Sequence, residues 1–557
     1  MSEDIWADCR LPLQRHETHF GDRIVRCFAE RPPSLHAMLE RSVRERPDAD
    51  AVVFEGARWS YRELDERVGR LAGGLAAAGV AAGDRVALLL SNRPEFLVAL
   101  YAAQRLGAIA VPVSIREQRP GLEYIFGHCG AKVVFFDADL EERLPDPSAV
   151  PGCALWVRLP VNPGAPAASH SASPPPDEGA PPAAPAPAAD WETLAGAGFV
   201  GHAAPVAEED CAVILYTSGT TGRPKGAMLT HLGIAHSVLH FLHCMGLDEH
   251  TRSILAVPAS HVTGLIANLA STVAVGGANI LMAAFKAGSF LELVERERAT
   301  STILVPAMYN LCLLHSGFEG ADLSSWRIGG YGGAPMPVAT IDALVRKLPA
   351  LQLMNAYGAT ETTSPVTMMP ARLTREHGDS VGFRLPCADI VVMDDDGREV
   401  PPGEVGELWI GGPMVVRGYW NNPEATASEF TAGWWHSGDL GSVDAQGFVR
   451  VFDRKKDMLN RGGFKIYSVE VENLLMAYPG VLEAAVVGKP CPVLGERVHA
   501  FACVSDPGIN EHTLRAWCAK HLADYKVPES VTLTDKPLPR NANGKLLKRV
   551  LREALGR

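Results

Sequence analysis

The sequence predicts an α/β protein: a large N-terminal domain of several α/β subdomains, residues 1–453, followed by a small α+β domain, residues 454–557. Three observations carry this. Short apolar runs alternate with helical periods from about residue 34 onward, the pattern of a sheet with crossover helices. The 557 residues exceed what one hydrophobic core usually supports. Beyond about residue 450 the alternation gives way to helix, strand, strand, helix and a basic end, filling roughly one ordinary domain.

Taken in order, "SLHAMLERSVRERP" (34–47) is amphipathic and "AVVFE" (51–55) is strand-like. "SYRELDERVGRLAGGLAAAGV" (60–80) opens on a serine cap and keeps a helical period, and "RVALLL" (85–90) is again a strand. Residues 160–190, "PVNPGAPAASHSASPPPDEGAPPAAPAPAAD", are too poor in large apolar groups to build a core and too rich in proline for helix or sheet. They read as an extended surface insertion, since the α/β pattern resumes at "CAVILY" (211–216). From Ile254 to Phe285 no Asp, Glu, Lys or Arg occurs, a length that could span a bilayer. Pro258, His261, Gly264 and Gly276-Gly277 divide it into strand, helix and strand, so it reads as a buried βαβ segment instead. The small domain comprises a helix before "YPGV", strands "EAAVVG" and "RVHAFACV", and helix "EHTLRAWCAKHLA".

Composition narrows function. With 47% hydrophobic and 21% charged residues the chain is an ordinary globular protein, and a net charge of −12 argues against a nucleic-acid binder. Eleven cysteines, without a CxxC pair, suggest neither a disulfide framework nor a zinc site. The polar, partly acidic start lacks the basic and apolar regions of a signal peptide, so a cytoplasmic location is expected.

The stretch "YTSGTTGRPKG" (216–226) follows a strand and gathers hydroxyls, glycines and a lysine, the means by which backbone N–H groups, side chains and charge converge on phosphate. It is not a Walker loop. Lys225 lies three residues after Gly222 with Pro224 before it, and "AMLT" precedes the next helix, for which Thr230 is the better N-cap.

This loop resembles the signature of the adenylate-forming superfamily: acyl-CoA synthetases, nonribosomal adenylation domains and luciferases. "YGGAPMP" (331–337), "NAYGATET" (355–362), "GEVGELWIGGPMVVRGYWNNPEAT" (403–426), "HSGDLG" (436–441), "RKKDMLNRGGFKIYSVEVE" (454–472) and "LPRNANGK" (538–545) match in the family's order. The resemblance is strongest to an AMP-forming acid–CoA ligase. It implies ATP, Mg²⁺ and coenzyme A as cofactors, a small carboxylic acid as substrate, and a C-terminal domain that moves. A homodimer and a carrier-protein acceptor stay open.

The chemistry implied is attack of a carboxylate on the α-phosphate of ATP, then acyl transfer to a thiol. Two anions must meet: like charges 4 Å apart repel by about 1 kcal/mol in water and about 4 kcal/mol at an effective dielectric of 20, so cations are required. By the resemblance, Thr217, Ser218, Gly219, Thr220, Thr221, Gly222 and Lys225 steer the β- and γ-phosphates. Thr360 and Glu361 take the phosphate and Mg²⁺ positions, and oxygen ligands suit Mg²⁺. Asn355, Ala356, Tyr357 and Gly358, with Gly332, Gly333, Ala334 and Pro335, border the base, Tyr357 able to stack on it. Asp439 accepts the ribose hydroxyls with Arg454 behind it, and Asp439 alone would read as a turn former. Lys545 matches the catalytic lysine between carboxylate and α-phosphate, and Lys456 the hinge pivot. Gly462, Gly463 and Phe464 map beside the CoA channel, where Arg461 and Lys465 are either basic contacts for CoA or a solvated turn.

Acyl specificity in the family comes from segments that here contain no charged residue: "PASHVTGL" (258–265), "VPAMYN" (305–310) and "GGYGGA" (329–334). An amino acid would want an acidic partner for its ammonium, and a dicarboxylate a buried cation, so an apolar monocarboxylic acid is expected. His261, Val262, Thr263, Gly264 and Tyr331 are the candidate lining, with His261 equally readable as a core histidine. Two alternatives to the ligase are an acyl-AMP ligase loading a carrier protein and a nucleotide-binding scaffold without chemistry.

Overall fold

The computed structural model describes residues 4–162, 164, 188–217, 223–334, 336–541 and 546–556. The described chain forms two compact units, one of residues 1–389 with 410–435 and the other of residues 390–409 with 436–557.

The larger unit holds two extended sheets. The first runs in the order Lys225–Thr230, Cys211–Thr217, Ile109–Pro112, Arg85–Leu89, Ala131–Asp137, Leu155–Leu159 and Ala188–Asp190. The second runs Phe383–Arg384, Thr367–Met368, Gln352–Tyr357, Ile328–Tyr331, Ser301–Leu304, Arg252–Leu255, Ala278–Leu281, Asp50–Phe54 and Ala57–Ser60. From Asp50–Phe54 to Gln352–Tyr357 all pairings are parallel, so the C-terminal ends of those strands share one edge. In open α/β sheets that edge is where ligands bind.

Local chemistry starts the helices where the sequence places them. Ser34 Oγ accepts from Ala37 N at the head of Leu35–Glu45. Ser60 and Glu63 form a reciprocal capping box at the head of Tyr61–Ala77. The uncharged stretch resolves into strand Arg252–Leu255, a helix from Thr263 to Ala274 and strand Ala278–Leu281, all with buried cores. Among the described residues no helix is long and apolar enough to cross a membrane.

Two details differ from the sequence pattern. Thr263–Ala270 is a π-helix, not a regular α-helix, and Ser271 Oγ donates to Ile266 O at 2.9 Å. Its side chains are buried almost all round, so apolar spacing carries no sign of the wider turn. The last residues of the Pro/Ala-rich stretch, Ala188–Asp190, add in parallel to Leu155–Leu159. Residues 163 and 165–187 lie outside the described ones.

The smaller unit carries a sheet in the order Phe464–Ile466, Leu459–Arg461, Gly495–Val504 and Val481–Cys491, with Ser530–Thr534 parallel to Gly495–Val504. Helices Ser468–Met476 and Glu511–His521 cover it through Val471, Leu475, Leu514 and Cys518. This is the helix, strand, strand, helix order expected. It also contains a hairpin that sets Asp439 opposite Arg454.

Candidate active site

Strands Cys211–Thr217 and Lys225–Thr230 pair antiparallel, with Thr217 opposite Lys225. After the hydroxyl-rich stretch the chain therefore resumes as a strand at Lys225, not as the helix that follows a Walker loop. The helix begins only at His231, where Thr230 Oγ1 accepts from Gly233 N at 3.1 Å. Ser218, Gly219, Thr220, Thr221 and Gly222 lie outside the described residues, as do Pro335 and Lys545.

Glu361 sits in the single turn Thr360–Thr362 that follows strand Gln352–Tyr357. Thr362 Oγ1 accepts from Ala359 N at 2.9 Å, Thr363 Oγ1 donates to Met414 O at 2.8 Å, and Val416 N donates to Glu361 O at 2.9 Å. These bonds hold Thr363 and Ser364 at φ of 52° and 47°. Such left-handed residues cost on the order of 1–3 kcal/mol each and persist where surroundings over-determine them, commonly at functional sites.

Three groups meet at the Glu361 carboxylate. Thr217 Oγ1 donates to Oε1 at 3.3 Å, and the Tyr419 hydroxyl, with one proton for two carboxylates, faces the same oxygen at 3.0 Å. Among the described residues none bonds Oε2. The Tyr419 hydroxyl also lies 2.5 Å from Glu429 Oε2, and Lys225 Nζ is paired with Glu429 Oε1 while resting 4.4 Å from the Tyr419 ring centroid. Lys225, Glu361 and Tyr419 are all buried. Burial first, then the charges of Glu361 and Glu429, push the Tyr419 phenol well above its ordinary range, so it remains a protonated donor.

The structure brings together Thr217, Lys225 and Glu361, which the sequence motifs named, and sets beside them Tyr419 and Glu429, which the motifs did not name. Tyr419 lies inside a matched stretch and Glu429 three residues past its end.

The residues expected to border the base also converge. Tyr331 pairs with Asn355 in register, which brings Gly332–Ala334 against Ala356–Gly358. A Cβ on Gly332 would lie 2.4 Å from Ala356 O, so only glycine permits this approach. Tyr357 is partly exposed at the strand end.

Tyr331 ends strand Ile328–Tyr331, and His261 lies in the turn six residues beyond strand Arg252–Leu255, the two strands being separated in the sheet only by Ser301–Leu304. His261 Nδ1 accepts from Thr263 N at 3.4 Å, and burial pushes its pKa down, favouring the neutral ring. A Cβ on Gly264 would lie 2.2 Å from Pro258 O, which fixes glycine at the entry to the π-helix. Val262 is buried beside it.

In the smaller unit Arg454 Nε pairs with Asp439 Oδ1 at 2.7 Å, and Arg454 Nη1 donates to Ser437 O at 3.3 Å. Lys455 N donates to Gly438 O, and Lys456 O accepts from Arg552 Nη2 at 3.4 Å. Gly462 and Gly463, at φ of 60° and 91°, form the two-residue turn of a hairpin whose strands pair Arg461 with Phe464. Phe464 is 56% exposed and stacks on Tyr525, ring centroids 4.6 Å apart. Lys465 is exposed, whereas Arg461 is tied to Glu529 at 2.9 Å.

Two family models match: AMP-binding enzyme over residues 39–420 and AMP-binding enzyme C-terminal domain over residues 470–545. The chain belongs to the AMP-binding enzymes. Within this adenylate-forming superfamily it falls among the acyl-CoA synthetases, the acid–thiol ligases. A feruloyl-CoA synthase of Amycolatopsis is 37% identical over 517 residues, covering 93% of this chain and 98% of the relative. A long-chain fatty acid–CoA ligase of Mycobacterium tuberculosis is 33% identical, covering 89% and 93%. The solved O-succinylbenzoate coenzyme A synthetase of Bacillus subtilis, in complex with ATP and magnesium ion, superposes with a TM-score of 0.80 at 27% identity, covering 94% of this chain and 99% of that one.

Proposed function

We propose that this enzyme activates an apolar monocarboxylic acid, fatty or aryl, with ATP and passes the acyl group to coenzyme A. A carboxylate oxygen attacks the α-phosphorus, the bond from that phosphorus to the bridging oxygen breaks, and pyrophosphate leaves. The thiol sulfur then attacks the acyl carbon, its proton passes to solvent, and AMP leaves. The observation that carries the reading is the convergence of Thr217, Lys225 and Glu361 in one buried cluster. An uncharged acyl segment in the same unit accompanies it.

In this reading Lys225 and Thr217, with the loop 218–222, hold the β- and γ-phosphates. Glu361 fits Mg²⁺, an oxygen-seeking cation that usually shares its ligands with phosphates, because Oε2 has no described partner. Mg²⁺ bound there would neutralise phosphate charge. Thr360 belongs to the same turn. Asn355–Gly358 and Gly332–Pro335 border the adenine, and Asp439, steadied by Arg454, takes the ribose. Lys545 draws the two reacting anions together, and Lys456 is the pivot. His261, Val262, Thr263, Gly264 and Tyr331 line the acid. Gly462, Gly463 and Phe464 border the thiol donor, with Lys465 a better-placed cation for CoA than Arg461, which is already engaged. All eleven cysteines are free thiols, which supports a cytoplasmic location.

The relatives named for feruloyl and long-chain acids support both acid classes. A panel of both, with ATP and Mg²⁺, scored for pyrophosphate and for thioester with and without CoA, tests the reading. Pyrophosphate without a CoA ester from any acid would move the acceptor to a carrier protein. No pyrophosphate at all would leave a scaffold.

A further inference from the structure

Lys225 and Glu361 carry opposite charges in one buried cluster, yet they do not pair. Among the described residues the only ion pair of Lys225 is with Glu429. The side chain of Lys225 is 9% exposed and that of Glu429 30%, so the pair closes the cluster on its outer side. The Tyr419 ring lies under the ammonium and its hydroxyl stands between Glu361 Oε1 and Glu429 Oε2. Every described bond to the Glu361 carboxylate ends on Oε1.

A carboxylate and an ammonium this poorly solvated attract strongly and collapse onto each other unless each has another partner. We infer that Tyr419 and Glu429 are positioning residues that sort the charges of the nucleotide site. Glu429 takes Lys225, while the Tyr419 hydroxyl, its one proton shared between Glu429 Oε2 and Glu361 Oε1, covers Oε1 together with Thr217 and leaves Oε2 to a divalent cation. The inference rests on Glu361 being the metal-side carboxylate and deepens that assignment. Neither positioning residue touches substrate: they decide which oxygen and which ammonium are available to it.

The test is Mn²⁺ binding to the full-length protein with ATP, without acid or thiol, read by the electron spin resonance of free Mn²⁺. ATP is titrated to saturation for each variant. Tyr419→Phe keeps the ring and loses one hydrogen bond to a charged group. Mn²⁺ affinity is expected to fall about tenfold, while ATP affinity in EDTA stays within about twofold. Glu429→Gln releases Lys225 toward Glu361, and Mn²⁺ affinity falls again. Adding Lys225→Met to Glu429→Gln then restores most of that metal affinity although ATP binds more weakly. A misfolded variant cannot produce this rescue. Mn²⁺ affinity within about twofold of the native protein in both single variants, or a Glu429→Gln loss that Lys225→Met does not relieve, overturns the inference. If Glu361→Gln itself leaves Mn²⁺ affinity unchanged, the metal assignment fails and takes the inference with it, a result distinct from the other two.

Discussion

Acid should loosen the larger unit through histidines that serve as backbone acceptors. His231 Nδ1 accepts from Leu35 N at 3.2 Å, and His236 Nε2 accepts from Phe28 N at 3.1 Å while its Nδ1 donates to Leu232 O at 2.9 Å. Both rings are neutral in this arrangement, and a second proton would place a donor against a donor. Burial pushes each pKa from 6.5 to about 4. A folded pKa below the unfolded one means that the unfolded chain binds more protons between these values. Stability is therefore complete above pH 6.5, falls as pH drops, and stops falling below about 4. From pH 7 to pH 5 the loss is about 2 kcal/mol for each ring, about 4 together, a large share of an ordinary domain's margin. His240, fully buried with its Nε2 facing Cys387 N at 3.4 Å, adds in the same direction. Urea midpoints at pH 7, 6 and 5 measure the loss. His231→Asn and His236→Gln keep an acceptor near the same atom without a proton to gain, and together should remove most of the pH slope. A double variant with the native slope would refute the argument.

Three further outcomes are expected. Gly332→Ala sets a Cβ 2.4 Å from Ala356 O, so the loop must move; the KM for ATP in pyrophosphate release should rise about tenfold or more, consistent with misplacement costs at binding loops. Lys545→Ala should slow adenylation by on the order of a hundredfold, as loss of a transition-state charge contact does, with ATP affinity in calorimetry nearly unchanged. Phe464→Ala removes an exposed ring that stacks on Tyr525; thioester formation should slow while acid-dependent pyrophosphate release keeps its rate, and an equal drop in both would place Phe464 elsewhere in the cycle.

Much of the architecture was legible because it is local. "CAVILY" and "RVALLL" announce buried strands, and Ser60, Glu63 and Thr230 state where helices begin. The π-turn at Thr263–Ala270 was not, since a segment buried on nearly every side shows no preferred period. In the cluster, Thr217, Lys225 and Glu361 belong to motifs with fixed spacing. Tyr419 and Glu429 act through contacts with residues 58 and 204 positions away, and nothing in a linear pattern marks such partners.

Those two unforeseen residues change the electrostatic account of the site. With Lys225 alone, the hairpin looks like a cation waiting for phosphate. With Glu361 and Glu429 beside it, one ammonium faces two carboxylates, and the cluster does not by itself favour a polyanion. At an effective dielectric of 20, a further unit of opposing charge at 4 Å costs about 4 kcal/mol. If Glu361 is the metal-side carboxylate as proposed, bare ATP should bind weakly here and ATP carrying its divalent cation far better, because that cation would turn Glu361 from a repulsive neighbour into a ligand. On that assignment the carboxylates would impose a preference for the metal complex before any chemistry begins. The lysine can then leave Glu429 for the phosphates without leaving a bare carboxylate deep inside, because the Glu429 side chain is 30% exposed to water.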